Sequence, residues 1–416
     1  MPWLVRALRH RNYRLFLGGQ LVSLVGTWMQ SVAQSWLIYR ITGSAMLLGL
    51  VGFAGQIPVF LLGPLGGAVA DRHNRHRLLL ATQTASMVPA FILAALTLLG
   101  IVRPWEIFAL AAVLGVVNAF DIPARQVFVV ELVGRDDLMN AIALNSSMFN
   151  GARVIGPAIA GILVGAIGEG WCFFANGVSF LAVIGSLAAM RLPAVTAPPR
   201  DASALAHIVE GFRFVARARA IRALLLLLGL VSLSAMPYVV LMPVFADTIL
   251  HGGARALGLL MGASGLGALL GGLALAARRE LRGLGRWIAV SCAAFGVCLM
   301  LFALSRSFWL STALLVPTGL FMMVQMAGSN TLVQSMAPDA LRGRVMAVYS
   351  MMFMGMAPFG ALLSGALASR IGAPATVAAG GAACLAGSIV FATRLASWRP
   401  AARAMLEERK QEAAEE

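Results

Sequence analysis

Three ionisable side chains stand deep inside apolar sequence: Asp121, Arg125 and Arg153. A charged group at the centre of a bilayer costs roughly 3 kcal/mol or more, so each needs a partner or a purpose. Asp121 and Arg125 are spaced i, i+4, within reach of each other on one helix. Asp121 and Arg153 fall at similar depths of consecutive apolar segments, which offers a second pairing. Two chemistries fit. One is a permanent structural ion pair. The other is a proton carrier, because carboxylates in low-dielectric cavities can exchange protons near neutral pH.

Polar side chains also recur at helical spacing. Thr27, Gln30, Ser31 and Gln34 form one face at i, i+3, i+4 and i+7. Thr318, Gln325 and Ser329 do the same, with Met322 and Met326 beside them, and Ser234, Tyr238 and Met242 repeat every fourth residue. Asn118 lies one turn before Asp121. Such faces either line a substrate cavity or hydrogen-bond between helices, each contact then being worth under about 1 kcal/mol. Rich in Met and Gln and poor in charge, they suit a bulky amphiphilic small molecule more than a sugar or a phosphate. A further segment carries Gly151, Gly156, Pro157, Ala160 and Gly161. Small residues let helices pack backbone to backbone, and proline kinks them.

The elements that must position these residues are membrane helices. The 416 residues are 60% hydrophobic and only 12% charged, against about 25% charged in soluble domains. About 20 apolar residues suffice to span a bilayer. Twelve such runs are expected, at 15–39, 45–70, 78–100, 105–130, 139–167, 171–191, 222–249, 256–277, 285–304, 308–333, 343–369 and 373–393. The first is too long for a cleavable leader and is expected to remain as a helix. Between the sixth and seventh runs, Pro193, Pro198 and Pro199 precede a stripe of Leu205, Ile208, Phe212 and Val215 flanked by Arg213, Arg217 and Arg219, which predicts an amphipathic helix on the membrane surface. The expected organisation is a bundle over 1–191, a linker over 192–221, a second bundle over 222–394 and a tail over 395–416.

Arginine sets the orientation. Arg6, Arg9, Arg11, Arg14, Arg72, Arg75, Arg77, Arg135, Arg278, Arg279, Arg282, Arg286, Arg342 and Arg344 fall on one side, but only Arg40, Arg103, Arg255, Arg306 and Arg370 on the other. Both termini are therefore expected in the cytoplasm. The net charge of +15 belongs to these segment ends and connectors, so it argues for headgroup contact rather than nucleic acid. Cys172, Cys292, Cys298 and Cys384 all lie in apolar segments without ligand-like spacing, as small apolar residues do. No P-loop, HExxH or serine elbow occurs, which speaks against an enzyme.

The chain repeats itself. A shift of 204 residues superposes Gly115 on Gly319, Ala143 on Ala347, Ser146 on Ser350, Met148 on Met352, Phe149 on Phe353, Gly156 on Gly360, Gly161 on Gly365 and Gly168 on Gly372. Two six-helix halves related by duplication follow.

Between the second and third runs stands Gly67-Ala68-Val69-Ala70-Asp71-Arg72-His73-Asn74-Arg75-His76-Arg77. Gly67 is expected to admit a neighbouring helix, and Asn74 to occupy a left-handed position after the helix end. The segment resembles the signature loop of the major facilitator superfamily, G-x-L-A-D-R-x-G-R-R/K, with Asn74 in place of a glycine and His76 in place of a basic residue. The resemblance implies that Gly67, Asp71, Arg72 and Arg75 form a latch between the two halves in the outward-facing state. Gly271 to Arg278 stand in the matching place of the second half without the aspartate, unless a gap brings in Glu280.

The opening Leu8-Arg9-His10-Arg11-Asn12-Tyr13-Arg14-Leu15-Phe16 is similar to one branch of that superfamily. So are Gly26-Thr27-Trp28-Met29-Gln30, Phe120-Asp121-Ile122-Pro123-Ala124-Arg125-Gln126 and Glu210-Gly211-Phe212-Arg213-Phe214-Val215. The branch is that of the drug/proton antiporters that include the enterobactin exporter and macrolide-efflux relatives. Gly156 to Gly161 resemble its antiporter motif, G-P-x-x-G-G, with Ala160 replacing a glycine.

The fold so implied is an all-α membrane protein of twelve transmembrane helices in two pseudo-symmetric six-helix bundles, with the polar faces of the first, fourth, seventh and tenth runs lining a central cavity. The activity implied is proton-driven export of a small molecule from the cytoplasmic membrane. No cofactor beyond the proton gradient is expected, and the partners are substrate, protons and the lipid bilayer around a monomer. A lipid or lysolipid flippase of the same fold and, further off, a non-transporting membrane sensor or assembly partner are the alternatives.

Overall fold

The computed structural model describes residues 3–134, 136–191, 204–278, 283–338 and 341–415. Residues 192–203 of the expected linker lie outside the described residues, as do Arg135, Arg279, Glu280 and Arg282, and the side chains of Leu205 and Ile208. The described chain is helical throughout its long elements, which we label α1 (Arg11–Thr42), α2 (Ala45–Arg72), α3 (Arg75–Leu98), α4 (Pro104–Val133), α5 (Leu138–Ile167), α6 (Glu169–Ala188), α7 (Ala204–Arg217), α8 (Arg219–Ser234), α9 (Gly253–Ala276), α10 (Leu284–Leu304), α11 (Phe308–Met336), α12 (Arg342–Met354), α13 (Met356–Ile371) and α14 (Ala373–Glu415).

Among the described residues, eleven segments are long and apolar enough to cross a membrane. The helix left out, α1, has 32 residues, ample length at about 1.5 Å per residue. Its row of Gln20, Ser23, Thr27, Gln30, Ser31 and Gln34 lowers its hydropathy.

Local sequence explains where the helices begin and end. Gly43 closes α1 in the left-handed conformation (φ 61°), and Ser44 then caps α2, its hydroxyl accepting from the Leu47 N–H at 3.3 Å. Pro104 opens α4, and the Glu106 carboxylate accepts from the Arg103 N–H at 2.9 Å. The repeat is visible in the backbone: α5 ends at Gly168 (φ 90°, ψ 168°) and α13 at Gly372 (φ 85°, ψ 155°), the pair that the 204-residue shift superposes.

Two of the expected runs are not single helices. The seventh is not one helix: after α8 come short turns over Met236–Val239, Met242–Val244 and Phe245–Ile249, the last with π-helical hydrogen bonding. Pro237 and Pro243 explain the break, because proline lacks the N–H that helix continuation needs. The eleventh is interrupted at Gly355 between α12 and α13. The twelfth span, Ala373–Leu395, matches the expected run, and its helix α14 continues beyond it to Glu415.

The chain divides into two compact units. One comprises residues 1–201 and 242–265, the other 202–241 and 266–416. In the first unit, α2 crosses α4 through Gly66 and Gly115, whose missing side chains make room for the Ala119 and Gly55 carbonyls, and α1 packs on α6 through Gly19 and Gly26. α5 meets α1 at Gly156, where a Cβ would lie 2.5 Å from that of Trp28. A core of Phe16, Leu79, Phe128, Val183 and Leu187 joins α1, α3, α4 and α6. The second unit repeats these choices: Gly267 and Gly271 of α9 meet α11, Gly380 of α14 meets α8, and Gly360 of α13 meets the Ser232 and Leu233 carbonyls. Gly156 and Gly360 are themselves a superposed pair, so each copy uses the same glycine for the same crossing. Gly211 brings α7 against the Arg344 backbone of α12, and Glu210 pairs with Arg344.

Candidate substrate and coupling sites

Asp121 is 1% exposed. α3 presents Thr82 and Gln83 to it, and both donate to Oδ1 at 2.7 Å; the Arg125 guanidinium, one turn on along α4, donates to Oδ2. Three donors converge on one carboxylate, the arrangement that a buried charge requires. Of the two pairings open to Asp121, the structure makes that with Arg125. Arg153 instead places its guanidinium carbon 5.8 Å from the centroid of the Trp28 ring on α1. Thr82 and Gln83 were not singled out in the sequence, though two adjacent polar residues inside an apolar run are a signal of their own.

The loop between α2 and α3 corrects two expectations. Gly67 faces open space; the close approach belongs to Gly66, which meets the Ala119 carbonyl. Asn74 is not left-handed. It is the N-cap of α3 (φ −63°, ψ 111°), and its side chain accepts from the Arg77 N–H at 3.0 Å. Asp71 and Arg75 lie 4.0 Å apart, while Arg75 makes a closer pair with Glu131 near the C-terminal end of α4. His76 donates to the Leu187 carbonyl at 2.8 Å, and Arg72 is exposed.

The glycine-proline segment of α5 has two working faces. Gly156 receives α1, as described. Gly161 and the carbonyl of Pro157 meet Gly258 of α9, and Gly265 of α9 meets the Arg153 carbonyl. Gly151 has nothing within 4 Å of where a Cβ would be. Near the same end of the unit, the Tyr39 and Thr248 hydroxyls are 2.6 Å apart, and Arg40 pairs with Glu169 at 2.7 Å.

The polar faces divide between packing and open positions. On α1, Gln30 is buried and accepts from the Asn176 amide at 2.7 Å, and Thr27 donates to the Ser23 carbonyl at 2.9 Å. Ser31 is exposed, and Gln34 and Asn118 are half-buried. Met242 is buried in the first unit. In the second unit, Tyr238 lies edge-on to Phe295 with centroids 6.2 Å apart, Met322 is buried and Met326 half-buried. Thr318 donates to the Leu314 carbonyl at 2.7 Å. Gln325 and Ser329 are fully buried, and neither the Gln325 amide atoms nor the Ser329 hydroxyl has a hydrogen-bond partner among the described residues.

Asp137 gathers the amino-terminal segment: Arg6 at 2.9 Å, Arg9 at 2.8 Å and His10 at 2.8 Å. The Ala7 N–H donates to Asn140 Oδ1 at 2.8 Å. The His10 hydrogen bond, followed by the two guanidinium charges, holds the Asp137 carboxyl below the usual carboxylate range against the opposing effect of burial. Among the described residues no group of His, Cys, Asp and Glu could hold a metal ion.

Comparison with known proteins gives a consistent picture. A family model described as transmembrane secretion effector matches residues 5–414. The staphyloferrin A transporter of Staphylococcus aureus is 27% identical over 386 residues, covering 91% of this chain and 95% of that protein. The multidrug efflux pump Tap of Mycolicibacterium fortuitum is 28% identical over 372 residues, 87% of this chain and 90% of the pump. The enterobactin exporter EntS of Escherichia coli is 26% identical over 385 residues, 89% of each. Among solved structures, the nucleoside transporter NupG is similar in fold, with a TM-score of 0.71 at 14% identity, covering 95% of this chain and 99% of that one.

Proposed function

The chain belongs to the transmembrane secretion effector family of the major facilitator superfamily, and on that premise we propose that it is a proton-coupled exporter of a bulky amphiphilic small molecule. It is a transporter of the efflux type and not an enzyme. The observation that carries the cargo class is the company it keeps. Proteins named for moving a siderophore or several drugs align with about nine-tenths of its length.

The reading has twelve spans, with α1 the first, in two six-helix halves and both termini in the cytoplasm. Alternating access rocks the halves around a mid-membrane site. The Thr27, Ser31, Gln34 and Asn118 side chains of the first half, and Tyr238, Met242, Met322, Gln325 and Met326 of the second, are the proposed cargo contacts. Asp71, Arg72 and Arg75 are the proposed inner latch, with Glu131 holding Arg75 in place. The α5–α9 contact at Gly161 and Gly258 is the seam that parts when the outer side opens.

Asp121 is the proposed proton site. Thr82, Gln83 and Arg125 all donate to its carboxylate, and movement of α3 against α4 would withdraw the first two donors. The experiment is export from inside-out vesicles under an imposed proton gradient. Asp121→Asn is expected to abolish gradient-driven export while leaving cargo binding intact. Export at the native rate by this variant would remove Asp121 from coupling.

A further inference from the structure

We propose that Gln325 and Ser329 hold ordered water inside the second unit, at the place where the first half holds its buried ion pair. The inference concerns that unit alone and stands apart from the exporter reading. The 204-residue shift superposes Asp121 on Gln325 and Arg125 on Ser329. One polar pair thus occurs twice, charged in the first half and neutral in the second.

Neighbouring helices treat the two copies differently. Asp121 collects donors from Thr82, Gln83 and Arg125. Gln325 and Ser329 are 0% exposed, yet Nε2 and Oε1 of Gln325 and Oγ of Ser329 have no hydrogen-bond partner among the described residues. Between them, α10 meets α11 with aliphatic groups: a Cβ on Gly328 would lie 3.2 Å from Ile288 and 3.5 Å from Leu284. Leu315, Thr318, Met322 and Val333 continue the buried face of α11, and Thr318 gives its hydroxyl to the Leu314 carbonyl.

Polar atoms sealed away without partners are costly, and native proteins meet such groups with bound water, which makes roughly three hydrogen bonds in a buried site. Gln325 and Ser329 stand one turn apart on the same face, so their polar ends share one space. Together they offer N–H and O–H donors and carbonyl and hydroxyl acceptors, the set that water needs. α11 carries no charged residue, and two neutral oxygens without a carboxylate make a poor cation site. Ordered water is exchanged at small cost, whereas a buried ion pair is broken only at a large one. The second half therefore carries the version of the site that helix movement disturbs least. Any cargo group that reaches Gln325 has to bring a donor and an acceptor of its own in place of this water.

The test is X-ray footprinting of the purified full chain in phosphatidylcholine nanodiscs. An X-ray pulse splits a bound water where it sits, and the hydroxyl radical oxidises the nearest methionine to the sulfoxide, which mass spectrometry reads. Met322 lies one turn before Gln325 and is 1% exposed; Met29, 4% exposed in the first unit, is the buried control. Met322 is expected to oxidise several-fold faster than Met29 in the native chain. Gln325→Leu together with Ser329→Ala should slow it to the Met29 rate. Ser329→Ala alone removes one hydroxyl with little change of volume. It gives a second variant should the double one fail to fold, and its rate should lie between.

A Met322 no more reactive than Met29 in the native chain would overturn the proposal, as would native reactivity in either variant once folded. So would reactivity that vanishes when choline replaces sodium, which would mean a cation at the site. None of these readings involves transport, so failure of the exporter reading leaves them untouched.

Discussion

Gly161 and Gly258 meet backbone to backbone. A Cβ on Gly161 would lie 2.9 Å from the Cα of Gly258, and one on Gly258 would lie 2.7 Å from the Cα of Gly161. No flexible side chain stands at the contact to give way. Gly161→Leu and Gly258→Leu are each expected to destabilise this packing by about 1–3 kcal/mol through overpacking, seen as a lower melting temperature in detergent. Export should fall in parallel. Gly151→Ala, with open space around it, should change neither.

A double-substitution cycle tests the buried pair on α4. Arg125→Leu leaves the Asp121 carboxylate buried with two neutral donors, which should cost about 3 kcal/mol or more. Asp121→Asn together with Arg125→Leu should be less destabilising than Arg125→Leu alone, since no unpaired charge remains. Melting temperatures of the three variants check this; a double variant worse than the sum of the singles would mean that the pair is not the stabilising unit.

The loop between α2 and α3 offers a small, clean measurement. Asn74 caps α3 through its side chain. Replacement by Ala should cost about 1 kcal/mol, whereas replacement by Gly, also a good N-cap, should cost only a few tenths. Thermal unfolding of Asn74→Ala and Asn74→Gly separates the two outcomes.

The amino-terminal clamp should respond to acid. The Asp137 carboxyl is held below its ordinary value, so its stabilising effect is fully present above about pH 3.9, the unfolded value. It is lost as the pH falls through the lower folded value. Protease nicking within residues 3–9 should therefore stay slow at neutral pH and rise only in strong acid. Asp137→Asn should make it fast at neutral pH, and equal rates for both proteins would remove Asp137 as the anchor.

Much of the fold was legible because lipid imposes one rule on every segment: apolar length, with positive ends inside. The duplication was legible because glycines that serve helix crossings keep their register, as Gly156 and Gly360 do. What escaped was set by tertiary neighbours. One position decided between Gly66 and Gly67, and hydropathy does not register which face of α2 meets α4. The break after Ser234 was written in Pro237 and Pro243, yet the run remained apolar enough to read as continuous. At the proposed coupling site, Asp121 and Arg125 stood out as charges in an apolar run, while Thr82 and Gln83 became meaningful only once α3 lay beside α4. Gln30 had the periodicity of a cavity residue and proved to bond Asn176.

The most direct test of the account is proton-coupled export by the purified chain in liposomes. With rhodamine 6G, a bulky amphiphilic dye, on the side of the cytoplasmic face and protons more concentrated on the opposite side, the dye should accumulate across the membrane, and collapse of the gradient by a protonophore should stop it. Dye movement indifferent to the gradient, or directed toward the cytoplasmic face, would contradict it.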